Sequence, residues 1–257
     1  MRLHPGWLVG SAFGGLQGYV ESLLALAVVG WLLLGLWQNR SRLAQASDRR
    51  LLLAGVGFAL AALLLPEVHR HTIFFASRWT APAAVFAVLA LPPPRLRPLA
   101  EGAVAWLLFA ALIAATANRW IGFEREELAG LEQCLAELPP GQRVLGLDLV
   151  RTSPRIRGFP YYHLYAWAQV LHGGELNRSF ADEGSSLVVF RDLPHEYPWT
   201  GGLDWRPRRL RISDVPHFDY AMIHGDATAH ARFAADPKLI AVTSGGAWRL
   251  YRVEASP

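Results

Sequence analysis

The run Y-V-E-S-L-L-A-L-A-V-V-G-W-L-L-L-G-L-W, Tyr19 to Trp37, leaves this chain few options. Wound into a helix, about 20 predominantly apolar residues match the hydrocarbon thickness of a bilayer, and in lipid a segment must satisfy its own backbone polar groups. Three further runs resemble it. Residues 51–66 carry L-L-L-A-G-V-G-F-A-L-A-A-L-L-L closed by Pro66, and residues 73–92 run through F-F-A-S-R-W-T-A-P-A-A-V-F-A-V-L-A-L into Pro92-Pro93-Pro94. Residues 99–117 centre on V-A-W-L-L-F-A-A-L-I-A-A and stop at Asn118-Arg119-Trp120. The pattern predicts a multi-domain membrane protein with about four transmembrane α-helices over residues 19–120, followed by a small extracytoplasmic α/β domain over residues 121–257. Residues 1–18 read as an amino-terminal loop or interfacial segment, without the sustained apolar core of a signal peptide.

Charge placement sets the expected orientation. Residues 1–120 hold ten Arg against four acidic residues, whereas the remainder is slightly acidic, so the basic excess belongs to the apolar half. There it is a topology signal and not a nucleic-acid footprint, and no nucleic-acid partner is expected. Arg40, Arg42, Arg49 and Arg50 follow the first run, and Arg95 and Arg97 lie in the proline-rich link before the fourth. Both segments are expected in the cytoplasm, which puts the carboxyl-terminal domain on the far side of the cytoplasmic (inner) membrane. The single Cys134 excludes an internal disulfide framework.

Beyond Trp120 the periodicity changes. Residues 123–138 place Leu128, Leu131, Leu135 and Leu138 at helical spacing opposite glutamates, until Pro139-Pro140-Gly141. Residues 143–150, 186–191 and 217–225 read as strands, and residues 161–172 as a helix between Pro160 and Gly173-Gly174. Asp226 can cap a helix to about Ala235, and the segments flanking Gly245-Gly246 make a terminal hairpin. Strands alternating with helices argue for an α/β domain, with residues 193–216 as a long ordered loop.

Candidate chemistry is sparse, and each cluster has a structural reading beside the functional one. Glu67, His69, Arg70, His71 and Arg78 could hold an anionic headgroup, because Arg offers a planar fork for phosphate oxygens. The same residues could mark the membrane edge, and an Arg there costs less than the roughly 3 kcal/mol of one at mid-bilayer. If Arg78 sits at that edge, its span starts near Trp79 and is short, with Pro82 in the first turn. Tyr161 and His163, among Tyr162, Tyr165 and Trp167, could line a sugar-binding cleft or form aromatic core. His224, Asp226 and His230 read as a helix cap and surface histidines before they read as metal ligands, so no metal is assigned. Glu21 and Glu101 open apolar runs, as interfacial carboxylates or proton relays.

The span F-F-A-S-R-W-T-A-P-A-A-V-F-A-V-L-A-L and the tail segments R-V-L-G-L-D-L, P-Y-Y-H, H-G-G-E-L, F-D-Y-A-M-I-H-G and G-A-W-R-L-Y resemble the carboxyl-terminal part of bacterial GT-C superfamily glycosyltransferase-related membrane proteins, mannosyltransferase-like and family 39-like. The resemblance covers residues 50–257. It implies a lipid-phosphate-linked sugar as donor, with no other cofactor, and membrane lipid plus a lipid-linked sugar or glycan as partners. It also implies a catalytic carboxylate in an early extracytoplasmic loop. Nothing here matches that loop, so no catalytic residue is assigned and enzyme activity stays open. The expectation is a chain corresponding to the carboxyl-terminal portion of such a transferase. The alternative is a non-enzymatic membrane-anchored protein whose outer α/β domain binds a partner or glycan.

Overall fold

The computed structural model describes residues 10–12, 15, 18–68, 75–179, 181 and 196–254. The chain divides into two compact units, Met1–Trp120 with Pro154–Arg157, and Ile121–Ser153 with Gly158–Pro257.

The first unit is helical. Helix α1, Tyr19–Gln38, is the opening apolar run almost residue for residue. Helix α2, Arg49–Leu64, starts at Asp48, whose carboxylate accepts from the backbone N–H groups of Arg50 and Leu51. Helix α3, Thr80–Ala90, follows a tight turn over Ser77–Trp79, and helix α4, Pro98–Gly122, is continued by a single π-turn over Phe123–Glu127. Among the described residues, two helices are long and apolar enough to cross a membrane: Tyr19–Gln38 and Leu99–Glu127.

This corrects the expectation of about four spans. With 16 and 11 residues, α2 and α3 rise only about 24 Å and 17 Å, against roughly 30 Å of hydrocarbon. They pack against each other through small and aromatic residues, while Leu53, Leu64 and Leu89 stay exposed. The Asp48 N–H donates to the Ala90 carbonyl at 3.0 Å, which sets the start of α2 beside the end of α3. Gly55 lies against Ala83 and Phe86, and Phe58 stacks on both Phe86 and Trp79. Hydropathy counts apolar residues without seeing the breaks between them. Leu65 turns extended before Pro66, and α3 gains a regular backbone only at Thr80, with Pro82 in its first turn, where the missing donor costs least.

The second unit is a five-stranded mixed sheet in the order β2-β1-β3-β5-β4. The strands are β1 Arg143–Asp148, β2 Glu175–Leu176, β3 Tyr220–His224, β4 Leu239–Gly245 and β5 Trp248–Val253. Strand β1 pairs in parallel with both β2 and β3, while β5 runs antiparallel to β3 and to β4. The period of two is strict. Val144, Met222 and Leu250 face one core cluster, and Leu145, Ala221, Ile223 and Tyr251 the other, so both faces of the sheet are buried. On the first face lie α5, Leu131–Ala136, and α6, Trp167–His172, which supply Leu131, Leu135 and Ala168. Helix α7, Ala227–Ala234, is capped by Asp226, which accepts from the Ala229 N–H at 2.8 Å.

Two expectations shift within this unit. The helix foreseen over residues 123–138 is broken at Gly130, whose φ of 93° needs glycine and whose backbone meets that of Gly245. The helix foreseen over residues 161–172 is regular only from Trp167; the preceding stretch is turn and 3-10 backbone, with His163 at φ 66°. The strand expected over residues 186–191 lies outside the described residues.

Candidate functional site

In an open α/β sheet, ligands bind outside the carboxyl ends of the parallel strands, where connections leave a central strand in opposite directions. Strand β1 is that strand here. Its first crossover leads to β2 on one side, and the chain then returns to β3 on the other. Asp148 and His224 are register partners at the carboxyl ends of β1 and β3. His224 Nδ1 lies 2.8 Å from Asp148 Oδ1, both groups are buried, and the imidazole is sandwiched between Tyr161 and Trp248 at 4.2 and 4.6 Å. The Tyr161 hydroxyl donates to Glu127. Burial first, and then that carboxylate, push the Tyr161 phenol well above its ordinary range. This dyad holds the strand ends together and is closed to solvent.

Tyr162, next to Tyr161 in the chain, belongs to a second group, of which Trp205 is the exposed member. Asp204 Oδ2 takes Arg178 Nε at 2.9 Å and the Tyr162 hydroxyl at 3.1 Å, and His163 Nε2 stands 3.6 Å away. Arg178 Nη1 lies 2.7 Å from His163 Nδ1 and 2.5 Å from Nε2; the guanidinium can only donate, so the His163 ring accepts from it. Burial would raise the Asp204 carboxyl, but hydrogen bonds from His163 and the Trp205 backbone, the Arg178 charge and the Tyr162 hydroxyl hold it below the ordinary carboxylate range. Burial and the Asp204 charge push the Tyr162 phenol upward. Tyr162 packs on Trp205 at 4.4 Å, and Trp205 keeps 39% of its surface exposed.

Local backbone explains the arrangement. Arg178 comes two residues after β2, so it emerges at that strand's carboxyl end. His163 is the sole non-glycine with positive φ among the described residues, a conformation that costs of order 1–3 kcal/mol and concentrates at functional positions. That turn aims Tyr162 and His163 at Asp204 while Tyr165 points inward. The Tyr165 ring occupies the place a side chain at Gly146 would need: a Cβ there would sit 2.0 Å from Tyr165 Cδ2. The Gly146 N–H donates to Asn177 Oδ1 at 2.8 Å. Two polar atoms beside Gly146, the Tyr165 hydroxyl and Asn177 Nδ2, are buried with no hydrogen-bond partner among the described residues.

The sequence candidates divide. Tyr161 and His163 belong to this region of the second unit. Glu67 and Arg78 belong to the first unit, where Ser77 Oγ donates to Glu67 Oε1 at 3.1 Å and Arg78 is exposed on the turn before α3. His69, Arg70 and His71 lie outside the described residues. His224, Asp226 and His230 are engaged separately, in the Asp148 pair, in the α7 cap and in a contact from Nε2 to the Ala247 carbonyl at 3.0 Å. Among the described residues, no three His, Cys, Asp or Glu side chains converge as metal ligands would. Sequence spacing does not single out Asp204, Trp205 and Arg178, because their partners lie 15 to 43 residues away.

Comparisons with protein-family models, with curated proteins and with solved structures find no match.

Proposed function

We propose that this is a membrane-anchored binding protein whose α/β domain holds a glycan at the Tyr162, His163, Arg178, Asp204 and Trp205 group. The observation that carries the reading is the pairing of a half-exposed aromatic platform, Trp205 on Tyr162, with a fixed Asp204–Arg178 ion pair at the carboxyl ends of the parallel strands. Apolar sugar faces stack on aromatic rings, while hydroxyls need donors and acceptors whose directions are already set.

Two spans give the same orientation as four, since both counts are even. Helices α1 and α4 carry the chain across and back. The two basic segments between them are tied together: Arg95 Nε donates to Asn39 Oδ1 at 2.9 Å, and the Arg95 N–H donates to Gln38. With that end in the cytoplasm, the α/β domain lies outside. The resemblance to GT-C proteins supports a lipid-phosphate-linked sugar as the form in which the glycan arrives.

The test is a glycan array probed with the full-length protein in detergent, beside Trp205→Ala and Asp204→Asn. The reading expects saturable binding to a defined set of glycans that Trp205→Ala reduces at least tenfold, a loss of about 1.4 kcal/mol. Equal binding by wild type and Trp205→Ala, or no glycan bound by wild type, refutes it.

A further inference from the structure

A groove of about 850 Å³ runs over the second unit between the end of the Leu99–Glu127 helix and α6. Ile121, Glu124, Arg125 and Leu128 form one wall, and Trp167 and Leu171 the other. Helix α6 is inverted relative to its burial needs. Ala168 is fully buried against the sheet, while Trp167, Val170 and Leu171 expose 49%, 70% and 58% of their surfaces. Three large apolar side chains open to solvent on one short helix form a patch that a soluble domain seldom leaves uncovered.

We infer that the bilayer itself covers it: α6 docks into the headgroup layer, with Trp167, Val170 and Leu171 as an interfacial anchor. The inference rests on the membrane reading above. It is carried by chain continuity, because one wall of the groove is the emerging end of a helix long and apolar enough to span. Residues 121–128 follow the apolar stretch of that helix directly in the chain, so they are the first to enter the headgroup layer, roughly 5–8 Å thick, on leaving the hydrocarbon. The composition of the groove fits that depth. Trp120 and Trp167 are each half-exposed, as interfacial tryptophans are, and Glu124, Arg125 and Glu132 supply charge at the rim where phosphate and choline groups lie. A partner that buried those three charges would have to desolvate them; a headgroup layer would not.

The experiment uses the full-length protein in phosphatidylcholine nanodiscs containing doxyl-labelled lipid. An environment-sensitive fluorophore is attached in turn at Val170→Cys, Leu171→Cys, Val29→Cys in α1 and Ile212→Cys on the exposed loop before β3. Cys134 is buried, with its thiol pushed up to about 12, so it stays unlabelled at neutral pH. The expected result is strong quenching at Val29 and at Val170 and Leu171, about twofold or more above Ile212, since an interfacial apolar face enters roughly 5–10 Å. Quenching at Val29 with none at Val170 and Leu171 overturns this inference and leaves the anchor intact. Protection of Val170 that depends on protein concentration instead of doxyl lipid assigns the groove to a second copy and also overturns it. No quenching at Val29 overturns the membrane reading as well.

Discussion

Removing the Asp204 carboxylate should cost the α/β unit more than any other single change at the candidate site. The Asp204 and Arg178 side chains expose only 5% and 12% of their surfaces, and the Arg178 Nε to Asp204 Oδ2 distance is 2.9 Å. Breaking a buried pair by deleting one partner costs about 3–5 kcal/mol, because the remaining charge is left without compensation. Arg178 keeps some access to water, so the lower end applies, about 3 kcal/mol for Asp204→Ala. For a unit of this size that corresponds to a drop of about 10 °C in its melting temperature. The double variant Asp204→Ala with Arg178→Met removes both charges and should return to within about 1 kcal/mol of wild type. Urea denaturation of the detergent-solubilised full chain, followed by near-ultraviolet circular dichroism, measures the cycle. Single variants within about 0.5 kcal/mol of wild type, or costs that simply add, would refute the buried-pair account.

Gly146→Ala should destabilise the unit by about 1–3 kcal/mol and weaken glycan binding, since its Cβ would meet the Tyr165 ring at 2.0 Å; unchanged stability contradicts the packing described. His230 has its pKa lowered by burial, and its Nδ1 has no hydrogen-bond partner among the described residues. The unfolded chain therefore binds the extra proton first, and the contribution of His230, complete above about pH 6.5, is lost as pH falls toward its folded pKa; His230→Gln should flatten that part of the stability profile. The depressed Asp204 carboxyl acts the same way in a lower window. Its contribution, present above about pH 4, declines as pH falls through the folded pKa, so Asp204→Asn should remove a stability slope confined to acid. Cys134 should resist iodoacetamide at pH 8 in the native protein and react fully in denaturant; rapid native labelling would show that the Leu131–Ala136 helix is not packed as described.

What can be read from the residues is whatever repeats at short range. The apolar run at Tyr19, the alternation in Arg143–Asp148, the Asp226 cap and the terminal hairpin each announce themselves within one short continuous stretch. The failures share one cause. Residues 51–66 and 73–92 satisfy a hydropathy window, but Phe58 on Phe86 and Gly55 against Ala83 are contacts between two short helices that no window contains. Gly130 ends a predicted helix because of Gly245, 115 positions later. Tyr161 and His163 are visible as an aromatic cluster, yet Asp204 and Trp205 sit in what reads as a proline-rich loop, and no pattern in the sequence marks Arg178. Strand β2, two residues long, carries no periodicity to read.

The central claim is that two spans anchor an α/β domain on the side of the membrane opposite the basic loops. Substituted-cysteine labelling in spheroplasts of a bacterial host tests it directly, with a membrane-impermeant maleimide applied from outside to Ile212→Cys and to Ser41→Cys, while buried Cys134 stays silent. The account predicts immediate labelling at Ile212 and labelling at Ser41 only after permeabilisation. Labelling of Ser41 from outside, or of Ile212 only after permeabilisation, would contradict it.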